Sequence, residues 1–210
     1  MKAIKPSVEF LEAPDGEKIL RKIEKIARTC YKSESAVTDE SSKRMVRNLI
    51  EHGHEAMIEH ESVTVKFTID RGISHEVVRH RPCSFAQEST RYCNYSKGKF
   101  SGEITCVIPP AMRVNPQAFD VWMRACRKAE EAYFELLDLG LKPEKARSVL
   151  PTSLKTELIM TANLREWRHF FKLRALGTTG KPHPQMKEVA FPLLKMFQET
   201  IPVVFDDLTI

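Results

Sequence analysis

Residues 61–70 read ESVTVKFTID, with Val63, Val65, Phe67 and Ile69 alternating against polar neighbours. A period of two among β-branched and aromatic side chains marks a half-buried strand. Upstream, Gly53 ends a helix that begins near Thr38, has Asp39 and Glu40 in its first turn and buries Met45, Val46, Leu49 and Ile50. Before it, Ile19, Leu20, Ile23, Ile26, Ala27 and Cys30 recur at helical spacing between Glu17 and Lys32, and residues 7–12 form a short strand. Downstream, Arg71-Gly72 turns the chain, Ser74 caps a short helix over His75 to Arg81, and Pro82 breaks it. Residues 82–102 are polar and irregular, a long loop of the kind that carries function. A strand over 104–108 follows, then a long helix opened by Asn115-Pro116 and closed at Gly140. Pro143 starts a short helix that ends before Pro151, and 153–162 form a strand. Asn163, with Glu166 three residues on, opens a helix through Leu173 in the manner of a capping box. The loop 175–184 leads to a last helix, bent at Pro192. Strands and helices mix without regular alternation, which points to an α+β fold, read as a single domain over 1–210.

Composition narrows the function. With 42% hydrophobic and 29% charged residues the chain buries a core and is not disordered. The net charge of +5 suits anionic small molecules, whereas a nucleic-acid binder would show a denser basic stripe than these dispersed lysines and arginines. Five cysteines without a CxxC pair argue against a disulfide framework or zinc knuckle and favour a reducing compartment. No apolar run approaches the roughly 20 residues that span a bilayer, and the N-terminus lacks the apolar core of a signal peptide. The expectation is a soluble cytoplasmic protein that binds neither membrane nor nucleic acid.

The groups best suited to anions are Arg79-His80-Arg81 and Ser89-Thr90-Arg91-Tyr92. Consecutive helical residues point about 100° apart, so the three basic side chains straddle two ligands rather than share one. Arginine forks onto phosphate, and Ser89 and Tyr92 add neutral donors. A solvated, salt-bridged helix end explains the composition equally well. His52-Gly53-His54 with Glu59-His60 suggests a metal site, but the histidines lack the i, i+4 spacing of zinc-binding helices and no further cluster follows. No metal is expected. Neither GxGxxG nor a P-loop is present, so a nucleotide cofactor would be held by arginines and helix ends. Cys83 reads as a packed thiol rather than a nucleophile.

Arg-His-Arg, seven residues, Ser89, then Arg91-Tyr92 resembles the signature of the flavin-dependent thymidylate synthases in spacing and in six identities. The resemblance extends to His52-Gly53-His54, Ala146-Arg147 with Leu150-Pro151, Asn163-Leu164-Arg165 with His169, and Phe171-Lys172-Leu173-Arg174. It implies an antiparallel or mixed sheet packed with several helices. The implied activity is reductive methylation of dUMP to dTMP, with methylenetetrahydrofolate as carbon donor and NADPH-reduced FAD as hydride source, in a homotetramer whose sites lie at subunit junctions. By the same resemblance Glu76, Arg79, Gln87, Glu88, Ser89, Arg91, Arg147 and Arg174 bind dUMP, with Arg174 catalytic. His54, Ala56, Arg79, His80, Arg81, Gln87, Asn163, Arg165 and His169 hold FAD, Ala56 through its backbone. Two departures stand out: Ala86-Gln87 replaces the family's common Asn-Glu, and a Gly/Pro loop before His183-Pro184-Gln185 replaces the usual Asp-Ser-His-Ala-Gln. A non-catalytic nucleotide or nucleic-acid binding module is the alternative from another class.

Overall fold

The computed structural model describes residues 1–38, 40–100 and 102–209; Asp39, assigned above to a helix's first turn, lies outside them. Six strands and eight α-helices are described: β1 (Lys2–Ile4), β2 (Ser7–Phe10), α1 (Gly16–Tyr31), α2 (Ser41–Glu51), β3 (Ser62–Asp70), α3 (Arg71–Val77), β4 (Cys83–Gln87), β5 (Thr105–Val107), α4 (Pro110–Arg113), α5 (Pro116–Asp138), α6 (Pro143–Ala146), β6 (Lys155–Asn163), α7 (Leu164–Phe171) and α8 (Pro184–Thr200). The fold is α+β, with one four-stranded sheet in the order β2-β3-β6-β4 and a separate β1-β5 pair. Among the described residues no helix is long and apolar enough to cross a membrane.

The chain forms two compact units, and neither is contiguous in sequence. The first comprises Met1–Ser7, Phe67–Arg79 and Phe85–Ile159; the second comprises Val8–Lys66, His80–Ser84 and Met160–Ile210. The chain passes from one unit to the other within β2, β3, β4 and β6 and between Arg79 and His80.

In the first unit β1 pairs in parallel with β5, Ala3 opposite Cys106. Tyr95, Ile104, Cys106, Trp122, Cys126, Tyr133 and Leu154 form its core. Trp122 satisfies its indole N–H on Ser153 Oγ at 3.0 Å, so the ring is buried without an orphaned donor. Asn115 Oδ1 caps α5 by accepting from the Ala118 N–H at 3.1 Å, and Gly140, at φ +85°, stops the chain beyond it.

In the second unit Trp167, Phe171, Phe197 and Phe205 pack edge-on and offset, with Phe197 and Phe205 ring centroids 4.9 Å apart. The Trp167 indole donates to the Val63 carbonyl at 3.0 Å, which ties α7 to β3. Thr64 and Thr161 pair hydroxyl to hydroxyl at 2.9 Å between β3 and β6. Position 16 accepts only glycine, because a Cβ there would stand 2.0 Å from the Thr200 carbonyl oxygen.

Three expectations need correction. The short helix after β3 begins at Arg71, not near His75, because the Asp70 carboxylate accepts from the Ile73 N–H at 2.7 Å and caps it early. It ends at Val77, so Arg79-His80-Arg81 follow the helix rather than ride on it. Within the expected loop 82–102 lies β4, where Cys83, Phe85 and Gln87 are half-buried while Ser84 and Ala86 face solvent. Beyond α7 the chain widens into a π-turn over Lys172–Leu176, closed by Gly177 at φ +74°. A Cβ at Gly177 would stand 2.7 Å from the Pro182 ring, so residues 177–183, rather than 175–184, make the loop.

Candidate active site

In the second unit His80, free of α3, is buried against α7. Its Nδ1 lies 2.8 Å from Glu166 Oε1, and Arg174 Nε donates to its Nε2 at 3.3 Å. The rings of His169 and Phe170 stand 5.7 and 5.0 Å away. Arginine has only N–H groups to offer, so Nε2 accepts, and Nδ1 carries the hydrogen toward Glu166. Burial is the strongest influence on His80 and holds its pKa below the ordinary value. The Glu166 hydrogen bond and charge oppose that shift, while the charges of Arg174 and His169 reinforce it. The ligand atoms of His80, Glu166 and His169 lie within 4.8 Å of one another, close enough to converge on a cation. The Arg174 guanidinium already engages His80 Nε2.

Beside it opens a cavity of about 520 Å³ lined by Pro82, Asn163, Arg165, His169 and Lys172 and by three carboxylates, Glu55, Glu59 and Glu166. Asn163 Oδ1 caps α7 through the Glu166 N–H at 2.9 Å, but the Glu166 carboxylate turns to His80 instead of completing a capping box. Arg165 is half-exposed and pairs with Glu59 at 2.5 Å and Glu55 at 3.5 Å. His54 and Ala56 are not in this cavity. They line a smaller apolar pocket of about 220 Å³ with Ala27, Cys30, Leu49 and Met57. Arg81 is exposed. Cys83 has its thiol pushed up to about 12 by burial and by the Glu166 charge, so it is not a thiolate near neutral pH.

The first unit carries every dUMP-assigned residue except Arg174. The Gln87 amide donates to Ser74 Oγ at 2.9 Å and Thr156 Oγ1 at 3.3 Å. Ser74 spends its own hydrogen on the Arg71 carbonyl at 2.8 Å. An amide at position 87 therefore fits this pair of hydroxyl acceptors. The Glu88 carboxylate is engaged by Lys155 Nζ at 2.8 Å and Tyr95 OH at 3.3 Å. Burial opposes the Lys155 charge, but Glu88 and Glu157 outweigh it and raise its pKa. Ser89, Arg91 and Arg147 are brought together: Arg91 N–H donates to Ser89 Oγ at 3.3 Å, Arg91 Nε to Glu144 at 3.2 Å, and Arg147 Nη1 to Thr90 Oγ1 at 3.1 Å. Glu76 and Arg79 sit at the end of α3, where the Arg79 N–H donates to the Glu76 carbonyl at 3.3 Å.

Residues 15–203 match the family model described as Thymidylate synthase complementing protein. A flavin-dependent thymidylate synthase of Corynebacterium glutamicum is 31% identical, over 97% of this chain and 84% of that protein. The chain belongs to the flavin-dependent thymidylate synthase family. A flavin-dependent thymidylate synthase of Mycobacteroides abscessus is 30% identical over 98% of this chain and 85% of its own length. The crystal structure of a UMP/dUMP methylase, PolB, from Streptomyces cacaoi bound with 5-Br dUMP superposes with a TM-score of 0.82 at 26% identity, covering 98% of this chain and 96% of that one.

Sequence reasoning on this family member missed four contributors. Glu166 was explained by its spacing from Asn163 as a helix cap, which hid its contact with His80. Lys172 lines the larger cavity, yet on paper it is one lysine among many. Ser74 and Thr156 hold Gln87 through a pairing that no sequence spacing reveals.

Proposed function

We infer that this chain converts dUMP to dTMP by reductive methylation, with methylenetetrahydrofolate as carbon donor and NADPH-reduced FAD as hydride source. The observation that carries it is the Glu166–His80–Arg174 chain beside the 520 Å³ cavity, within a sequence that matches the family over residues 15–203. The donors lining that cavity fit a flavin: Asn163 and His169 suit the polar edge of a ring, and Arg165 and Lys172 suit its phosphates. Arg165 is held by carboxylates, but solvent-exposed ion pairs are weak, so a phosphate can replace them. Arg81, exposed in the same unit as the cavity, is a further cation suited to the cofactor's phosphates.

When bound, reduced flavin supplies the hydride that completes the methyl group. The chain's own part is electrostatic. Arg91, Arg147 and Ser89 hold the nucleotide phosphate, Glu76 and Gln87 orient it, and Glu88 steadies this group through Lys155 and Tyr95. Arg174 places a fixed positive charge at the uracil and stabilises the deprotonated ring nitrogen, which pushes electron density toward the carbon to be methylated. No enzyme nucleophile is required, in keeping with the elevated Cys83 thiol. Four copies assemble with sites drawn from different subunits, since a chain of 24.1 kDa has limited surface with which to enclose three ligands. The five free thiols suit the reducing cytoplasm, where we place the enzyme.

The test is flavin binding by the purified protein, read as visible absorbance or as quenching of added FAD fluorescence. Stoichiometric FAD per chain supports the assignment; protein that neither retains nor takes up FAD overturns it.

A further inference from the structure

His80 is a buried imidazole with both nitrogens engaged: Glu166 Oε1 lies 2.8 Å from Nδ1, and Arg174 Nε lies 3.3 Å from Nε2. Glu166 is itself largely buried, with a side chain 11% exposed, and its backbone N–H is fixed by Asn163 at 2.9 Å. Its carboxylate therefore has a defined direction before any ligand arrives. A carboxylate accepts only, so it selects the imidazole tautomer with hydrogen on Nδ1. That tautomer presents a bare lone pair at Nε2, the one form able to accept from Arg174. The opposite tautomer, or an imidazolium, would set N–H against N–H.

We propose that Glu166 is a positioning residue for Arg174, acting through the tautomer of His80. The inference rests on the catalytic assignment of Arg174 made above and adds a residue outside the family signature, on a different element from His80. Arg174 stands in the π-turn Lys172–Leu176, beyond the regular helix, where the backbone alone gives its long side chain no fixed direction. The His80 lone pair is one contact that fixes its Nε, at 3.3 Å. The titratable and charged groups facing His80 are Glu166, His169 and Arg174, from α7 and the π-turn. Protonating His80 removes its lone pair and releases Arg174, so turnover falls on the acid side as the imidazole charges. Deleting Glu166 lets the ring adopt either tautomer and uncouples Arg174 even at neutral pH.

The test has two readouts. The first is the ¹⁵N shift of the His80 ring nitrogens in histidine-labelled protein, assigned with His80→Gln as the blank. Wild type should show hydrogen on Nδ1, and Glu166→Leu should show a mixture or the other tautomer. The second is steady-state kinetics of the FAD-loaded enzyme. Measured at saturating FAD, because Glu166 also lines the cavity assigned to the flavin, Glu166→Leu should lower kcat roughly 10- to 100-fold, on the scale seen when the outer partner orienting a functional histidine is lost, with KM for dUMP little changed. Glu166→Gln, whose amide oxygen can still accept from Nδ1–H, should recover much of that loss and guards against a misfolded leucine variant. In the Arg174→Ala background Glu166→Leu should cost nothing further, because the two act in series. A wild-type ring tautomer in Glu166→Leu, or full additivity of the two substitutions, would overturn the proposal. Wild-type turnover in Arg174→Ala alone would instead remove the catalytic role of Arg174, and the positioning role of Glu166 with it, whatever tautomer His80 shows.

Discussion

Arg168 grips Asp207 at two points, Nη1 to Oδ1 at 2.6 Å and Nη2 to Oδ2 at 2.7 Å. The same guanidinium donates to the Val204 carbonyl and, through Nε, to Glu55 at 3.1 Å. A single buried cation thus fastens the residues after α8, and the turn Glu55–His60, to the helix that carries Arg165, Glu166 and His169.

Removing Arg168 takes from Asp207 its two-point partner and from the Val204 carbonyl its side-chain donor, and leaves Glu55 only the longer contacts to Arg165 and Lys172. Arg168→Met should lose about 1–3 kcal/mol of stability, the cost of leaving hydrogen-bonded groups without their partner when one side of the pair, Asp207, remains half exposed, read as a drop in Tm. Burial alone would raise the Asp207 carboxyl, but the Arg168 hydrogen bond and charge outweigh it and hold the carboxyl below its ordinary range. A lowered folded pKa contributes stability that is complete above the unfolded value near 3.9 and is lost as pH falls through the folded one. The Tm gap between wild type and Asp207→Asn should therefore be constant near neutrality and close at pH values below about 4.

A thiol pushed up to about 12 is protonated at assay pH, so Cys83 should be dispensable. Cys83→Ala should retain most of the dTMP synthesis, and iodoacetamide at pH 7 should leave Cys83 unlabelled in a peptide map. Abolished turnover with FAD and dUMP still bound would restore a covalent role.

Much of this was legible in the sequence, and the limits have physical causes. The alternation in 61–70 and the Asn115-Pro116 start gave β3 and α5 to within a residue or two, because a strand face and a helix cap are local chemistry. α3 was misplaced because Asp70 and Ser74 are both good caps, and only the β3 exit geometry lets Asp70 reach the Ile73 N–H first. β4 escaped notice because Ser84 and Gln87 are polar, and its pairing comes from a strand distant in sequence. The candidate site residues were found by resemblance. That route gave Arg174 and His80 but not the Glu166 that joins them, because the contact spans 86 residues of chain.

Arg165 should matter for the cofactor rather than for the fold, since it is half-exposed and pairs with Glu59 and Glu55 at the rim of the cavity. Arg165→Ala should weaken FAD binding by about 10-fold or more, as expected for loss of a charge-assisted phosphate contact, with little change in Tm of the flavin-free protein. Unchanged FAD affinity would move the phosphates elsewhere.

Assembly is open to a direct measurement of mass. Light scattering of the FAD-loaded protein should give about four times the 24.1 kDa chain mass. Pairing Arg147→Ala chains with Arg174→Ala chains should restore activity if sites draw on different subunits. A fully active monomer would contradict both.

Direct assay of dTMP puts the central claim to its sharpest test. The purified chain, supplied with FAD, NADPH, methylenetetrahydrofolate and dUMP, should form dTMP detectable by chromatography, with formation ceasing when any one component is omitted and returning when FAD is restored to flavin-stripped protein. FAD-loaded, folded protein that binds dUMP yet forms no dTMP under these conditions would contradict it.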